Sequence, residues 1–156
     1  MRDGESLREG KTVAHFITDA CIGCTACVKV CPVQCISGER KQVHWIDPTR
    51  CIDCHACSYA CPAECIEDQY GNLLPRIPKR GNWPKPVVDP VHCTGCTFCV
   101  DICPFDCLAL TGPSFHGIAQ LVDPKSCVGC KLCESVCAKN AIVVVPPDQA
   151  DKAFAA

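Results

Sequence analysis

The chain is short of most of what a domain of its size uses to build a core and a catalytic site. Its 156 residues include only two Trp, two Tyr, five Phe and one Met. With so few large side chains the organic core is thin, and something else must fill it. No apolar run approaches the ~20 residues of a membrane-spanning helix. Residues 1–11 carry Arg2, Asp3, Glu5, Arg8, Glu9 and Lys11, with no apolar centre of the kind a secretory signal has. There is no Ser/His/Asp grouping, no phosphate-cradling glycine loop and no dinucleotide fingerprint, so nothing marks a substrate site.

Cysteine is what the chain has in excess, with 19 residues. In a short chain this usually signals a secreted disulfide scaffold. Here the count is odd and the cysteines form tight clusters instead of spreading out to staple loops. Together with the charged start, that points to a reducing, cytoplasmic compartment and to thiolates reserved for metal.

One stretch organises the rest. Residues 21–32 read C-I-G-C-T-A-C-V-K-V-C-P. The pattern recurs at 51–62 and 93–104, and at 127–138 without the proline. Soft thiolates hold iron–sulfur clusters. Three cysteines spaced by two residues converge on three corners of one cubane, and the fourth points away toward a neighbour.

The motifs begin at Cys21, Cys51, Cys93 and Cys127, at intervals of 30, 42 and 34 residues. Short–long–short spacing suggests two pairs and a linker. A β-prone run ending in Asp precedes each motif, at 13–19, 43–47, 86–89 and 119–123. In three cases Asp-Pro follows and turns the chain toward the first cysteine. Short helical turns are expected around 28–30 and 100–102. Apolar residues return at Ile36, Ile66, Leu108 and Ile142, the last opening a strand over 142–145. Hairpins are expected at 38–42 and 112–117, with the outer strands of each pair able to join. The stretch 67–86 holds Pro75, Pro78, Pro84 and Pro86 with Arg76, Lys79, Arg80 and Lys85. It reads as a stiff linker or as a basic docking strap.

With these residues in view, each pair resembles a bacterial-type two-cluster ferredoxin, C-x₂-C-x₂-C-x₃-C-P twice per module. Two in tandem resemble polyferredoxins and the ferredoxin-like subunits of larger oxidoreductases. The resemblance implies an α+β fold with short strands, short helical turns and little other regular structure. It divides the chain into an arm at 1–12, a module at 13–70, a proline-rich basic linker at 71–86, a module at 87–146 and a tail at 147–156. It implies four [4Fe–4S] clusters, with the fourth cysteine of each motif crossing to the partner motif. Cluster one would be held by Cys21, Cys24, Cys27 and Cys61, and cluster two by Cys51, Cys54, Cys57 and Cys31. Cluster three would take Cys93, Cys96, Cys99 and Cys137, and cluster four Cys127, Cys130, Cys133 and Cys103. Four such clusters bring the holo-protein to roughly −10, which disfavours nucleic acid and favours basic surfaces on redox partners.

Two departures stand out. Ala138 replaces the motif proline, which should loosen the Cys137 loop. Cys35, Cys65 and Cys107 each lie four residues after a fourth ligand, where the last copy has Ala141. Each is a slightly enlarged alanine in the core, a weak S–H donor that raises a cluster's potential, or an exchangeable ligand. His55 and His92 lie in or beside motifs, as exposed loop residues or as couplers of potential to pH. Lys29, Lys131 and His55 are expected on exposed motif faces. His15, His44 and His116 carry no pattern.

The expected function is low-potential one-electron transfer with no substrate site of its own. The chain is expected to be the wire subunit of a cytoplasmic oxidoreductase complex, a hetero-oligomer whose partner carries a flavin, metal or cluster. C-I-G-C-T-A-C resembles the ferredoxin part of ion-pumping ferredoxin:NAD oxidoreductases, and C-P-F-D the two-cluster subunit of complex I. The alternatives are a free polyferredoxin carrier, a zinc-organised interaction module, and a catalytic iron–sulfur protein with one incompletely ligated cluster.

Overall fold

In the computed structural model, described over residues 14–112 and 117–155, the chain forms two units, Met1–Pro78 and Lys79–Ala156. The arm expected at 1–12, Val13 and His116 fall outside the described residues, as do most of the hairpin expected at 112–117 and the last residue of the tail. The tandem α+β organisation is the one observed, with short strands and helices of four or five residues joined by turns.

The first unit runs β1 (Phe16–Ile17), α1 (Ala26–Val30), β2 (Ile36–Ser37), β3 (Trp45–Ile46), α2 (Ala56–Ala60) and β4 (Ile66–Glu67). Its strands form two antiparallel ribbons, β1 with β4 and β2 with β3. The register sets Ile17 opposite Ile66 and Ile36 opposite Ile46. One isoleucine per strand thus enters the core. The other six members of that ten-residue core are Cys27, Cys31, Cys35, Cys57, Cys61 and Cys65. The scarcity of large apolar side chains therefore shows up as a core made mostly of thiols.

The second unit repeats this plan with longer strands. A 3₁₀ turn (Arg80–Asn82) leads into β5 (Lys85–Val88), followed by α3 (Phe98–Ile102), β6 (Leu108–Thr111), β7 (Ile118–Leu121), α4 (Leu132–Ser135) and β8 (Ile142–Val145). The outer strands β5 and β8 pair, as do β6 and β7. Val88 stands opposite Ile142, and Leu108 opposite Leu121. The proline-rich stretch ends inside this sheet, since Pro86 pairs with Val144. A two-stranded ribbon has a free outer edge, so a missing N–H is tolerated there.

Arg80 and Lys85 do not hang free as a strap. The Arg80 guanidinium donates to the Ser126 carbonyl at 3.1 Å, and Lys85 Nζ to that of Cys127 at 2.6 Å. Both pin the entry of the fourth motif, and Trp83 is buried nearby with Arg80 over its ring. After β8 the tail winds into a 3₁₀ helix (Pro147–Lys152).

The Asp residues before the motifs serve as turn caps. Asp47 Oδ1 accepts from Thr49 N at 2.9 Å, Asp89 Oδ1 from Val91 N at 2.9 Å, and Asp123 Oδ1 from Lys125 N at 3.0 Å. Each carboxylate closes an Asx turn around the following proline, which delivers the chain to the first cysteine.

Candidate iron–sulfur sites

Each motif curls because three of its residues adopt left-handed backbone. The residue before the second cysteine does so at Gly23, Asp53, Gly95 and Gly129 (φ 59–71°). The residue after it follows at Thr25, His55, Thr97 and Lys131 (φ 63–70°). The third position after the fourth cysteine does so at Gln34, Glu64, Asp106 and Asn140 (φ 49–51°). Left-handed backbone is costly for most residues, so this recurrence in all four copies marks a loop bent around something. At Gly23 a Cβ would meet backbone of Lys41 and Gln42, and at Gly129 the Pro84 carbonyl oxygen.

The bend turns N–H groups onto sulfur. Cys35 N donates to Cys31 Sγ at 3.4 Å, Cys107 N to Cys103 Sγ at 3.4 Å, and Ala141 N to Cys137 Sγ at 3.3 Å. Gly23 N donates to Cys21 Sγ at 3.4 Å. Such bonds favour thiolate over thiol and are a lever on cluster potential.

The thiols converge in sets. One cavity is lined by Cys21, Cys24, Cys27 and Cys61, with Ile17, Ile66 and His44 among its walls. A second takes Cys93, Cys96, Cys99 and Cys137, with Leu110 and Ile142. A third takes Cys127, Cys130, Cys133 and Cys103, with Leu108 and Val144. Around Cys57, burial and then the neighbouring charges of Cys54, Cys51, Cys27 and Cys31 hold the thiol well above its ordinary range. Four sulfurs in an apolar pocket are the donor chemistry a [4Fe–4S] cluster requires, so the residues fit that group. Burial also lifts Cys27 to about 11 and Cys133 to about 12, with adjacent thiolates adding to both. Without metal these groups stay protonated at neutral pH.

The three additional cysteines sit beside ligand sets. Cys35 Sγ is 3.4 Å from Cys31 Sγ, and Cys65 Sγ is 3.4 Å from Cys61 Sγ. Cys107 lines the same cavity as Cys103 and Cys127, and Ala141 stands at the equivalent place beside Cys137. Burial pushes Cys65 and Cys107 up to about 12, which leaves them neutral thiols.

Ala138 accompanies a local change. In three motifs the fourth cysteine caps the helix in an extended conformation (ψ 111–114°), as a residue before proline must. In the fourth motif α4 ends at Ser135 and Val136 is still helical.

His92 fits the exposed-loop expectation, and His55 does not. His92 is an exposed loop residue whose Nδ1 bonds the Asp89 carboxylate, and this bond holds Asp89 below its usual range. His55 is half-buried, with its Nδ1 3.2 Å from His15 Nε2. His15 and His44, which sequence reasoning passed over, are 3% and 2% exposed. Period-two alternation was the available signal: His15 lies two residues before the buried Ile17, and His44 two before the buried Ile46.

A 4Fe-4S dicluster domain matches residues 14–68, and a second domain of the same description matches 50–107 and 92–141. The span 50–107 joins motif two to motif three, which the strand pairing assigns to different units. The B-type subunit of the ion-translocating oxidoreductase complex of Magnetococcus marinus is 58% identical over 38 residues, 24% of this chain and 21% of that protein. Its counterpart in Hahella chejuensis, which bears the same name, is 51% identical over 43 residues, 28% of this chain and 21% of that protein. The chain thus spans about a fifth of the length of these curated relatives. A chain of the formate dehydrogenase–heterodisulfide reductase–formylmethanofuran dehydrogenase complex of Methanospirillum hungatei aligns over 82% of this chain and 53% of its own, at 22% identity and a TM-score of 0.36. The family matches together run from residue 14 to 141, and the chain belongs to the 4Fe-4S dicluster ferredoxin domains, two of them in tandem.

Proposed function

We propose that the chain holds four [4Fe–4S] clusters and is the electron-wire subunit of a larger cytoplasmic oxidoreductase complex. Electron transfer through 4Fe-4S domains is the activity of the family; the number of clusters and the setting are this reading's own. The observation that carries it is the gathering of one motif's first three cysteines with its partner's fourth in each lined cavity. The ligand sets are then Cys21, Cys24, Cys27 and Cys61; Cys51, Cys54, Cys57 and Cys31; Cys93, Cys96, Cys99 and Cys137; and Cys127, Cys130, Cys133 and Cys103. Bound there, the clusters would supply one-electron redox chemistry at low potential. The protein's own part is to bind them through thiolate, exclude water with Ile17, Ile66, Leu108 and Ile142, and tune them with the N–H···S bonds.

Exposed apolar side chains close to the motifs support the subunit reading. Ile22 is 59% exposed and Phe98 59%, and Ile102, one turn beyond Phe98 on α3, is 38% exposed. A partner protein that covers them would bring its own redox centre near the motifs. No helix among the described residues is long and apolar enough to cross a membrane.

Anaerobic purification with iron and sulfide counts tests the cofactor. About sixteen of each per chain, with cubane EPR on reduction, is the expected result. A colourless zinc-loaded protein would overturn it. Gel filtration of native extract tests the setting, and elution only at the monomer mass would leave the free carrier instead.

A further inference from the structure

Motif two differs from its three siblings at both positions that flank its second cysteine. The residue before the second cysteine is Asp53, where the others have Gly23, Gly95 and Gly129, and the residue after it is His55, where the others have Thr25, Thr97 and Lys131. Both are left-handed, with φ 59° at Asp53 and 63° at His55, so both side chains are set by the same curled backbone. The chain entering β1 brings His15 against them. His15 Nδ1 lies 2.6 Å from Asp53 Oδ1, and His15 Nε2 lies 3.2 Å from His55 Nδ1.

The His15 side chain is 1% exposed, yet no aligned hydrogen bond reaches its Nδ1. Its close neighbour there is the Asp53 carboxylate oxygen, which lies off the line of a ring N–H. One ring nitrogen from each histidine and one Asp53 oxygen fall within 4.8 Å of one another. A tetrahedral ion with bonds of about 2.0–2.1 Å sets its ligands roughly 3.3 Å apart, so small side-chain rotations bring the three into range.

The second unit offers an internal comparison. The registers Ile17 opposite Ile66 and Val88 opposite Ile142 make Pro86 the counterpart of His15, and Gly129 and Lys131 the counterparts of Asp53 and His55. All three groups are missing together there, although the fold is the same.

We propose that His15, Asp53 and His55 bind a single divalent cation of the zinc class, with water completing the coordination, at a site separate from the cluster ligands. Two imidazoles and one carboxylate suit a borderline ion better than calcium or magnesium, which prefer all-oxygen sites, or copper(I), which prefers sulfur. The ion ties the start of β1 to the motif-two loop. His55 is braced for this role: its carbonyl accepts from Ser58 N, Tyr59 N and Ser58 Oγ, and the Tyr59 ring stacks on it.

The test uses untagged, anaerobically purified holo-protein with its full iron content. Zinc is added, excess is removed by gel filtration, and zinc and iron are counted together. The expected result is one zinc per chain with iron unchanged. The variants Asp53→Gly and His55→Thr install residues that the other motifs carry at the same φ, so they keep the backbone. Each is expected to weaken zinc binding by roughly 100-fold or more, with iron retained. Zinc K-edge absorption should show only nitrogen and oxygen neighbours at about 2.0–2.1 Å, with imidazole outer-shell scattering. No zinc on the wild type, equal zinc on the variants, sulfur at about 2.3 Å, or zinc gained as iron is lost would each overturn the proposal.

Discussion

Cys35 Sγ lies 3.4 Å from Cys31 Sγ, and the Cys35 backbone N–H points at that same sulfur. The pair sits in a core with 5% exposure at Cys35. Cys65 and Cys107 are still more enclosed, at 2% and 1%. A thiol must ionise and be reached before it is alkylated. In native holo-protein at pH 7, iodoacetamide followed by mass spectrometry should therefore modify none of Cys35, Cys65 and Cys107. After unfolding and chelation all three should react. Labelling in the native state would show that these positions open to solvent.

Shared ligation predicts damage at a distance along the chain. Cys31→Ala should remove part of one cubane's worth of iron, and the lost signal should belong to the cluster nucleated by Cys51. The adjacent Cys35 thiol offers a substitute sulfur, so Cys31→Ala/Cys35→Ala should lose more iron than Cys31→Ala alone. Iron counts and EPR on both variants read this out. Loss confined to the Cys21 cluster would break the crossover assignment.

The motif glycines give a contrast within one chain. At Gly129 (φ 71°) a Cβ would lie 2.5 Å from the Pro84 carbonyl oxygen, and at Gly23 (φ 65°) it would lie 2.4 Å from Gln42 N. Left-handed backbone alone costs a non-glycine residue about 1–2 kcal/mol, and these clashes are with backbone that cannot rotate away. Gly81 meets nothing within 4 Å. Gly23→Ala and Gly129→Ala should lower cluster retention on heating by several degrees, and Gly81→Ala should leave it unchanged. Thermal bleaching of the cluster absorbance measures the difference.

Much of this architecture is written in local pattern. Asp before proline announces each Asx turn, and an apolar residue five positions after each fourth cysteine announces the returning strand. The pairing of outer strands follows from the unequal motif spacing. What the pattern hid was contact between remote residues. His15 lies just before β1 and His55 in a motif loop, and only the approach of β1 to motif two makes them neighbours. Arg80 and Lys85 read as part of a stiff linker or a basic docking strap because the carbonyls they bond, at Ser126 and Cys127, lie more than forty residues away. Pro86 closed the linker and opened the β-prone run 86–89, and the sheet edge accepts it opposite Val144.

The raised thiols set how the metal-free chain responds to pH. Cysteine in the unfolded chain ionises near 9.0, whereas burial and neighbouring thiolates put Cys27 at about 11 and Cys133 at about 12 in the fold. The fold therefore favours the protonated form. Its contribution to stability is complete below about pH 9 and is lost as pH climbs through the folded values. Circular dichroism of the metal-free protein should show residual structure disappearing between about pH 9 and 12. Holo-protein, whose thiolates are already ionised and bound to iron, should not share that transition. The same protonation opposes loading, because each incoming metal must displace protons. Reconstitution with iron and sulfide should improve as pH rises from about 7 to 9 and release protons measurable in weak buffer. A yield that falls over that range would mean that the thiols are not held protonated by burial.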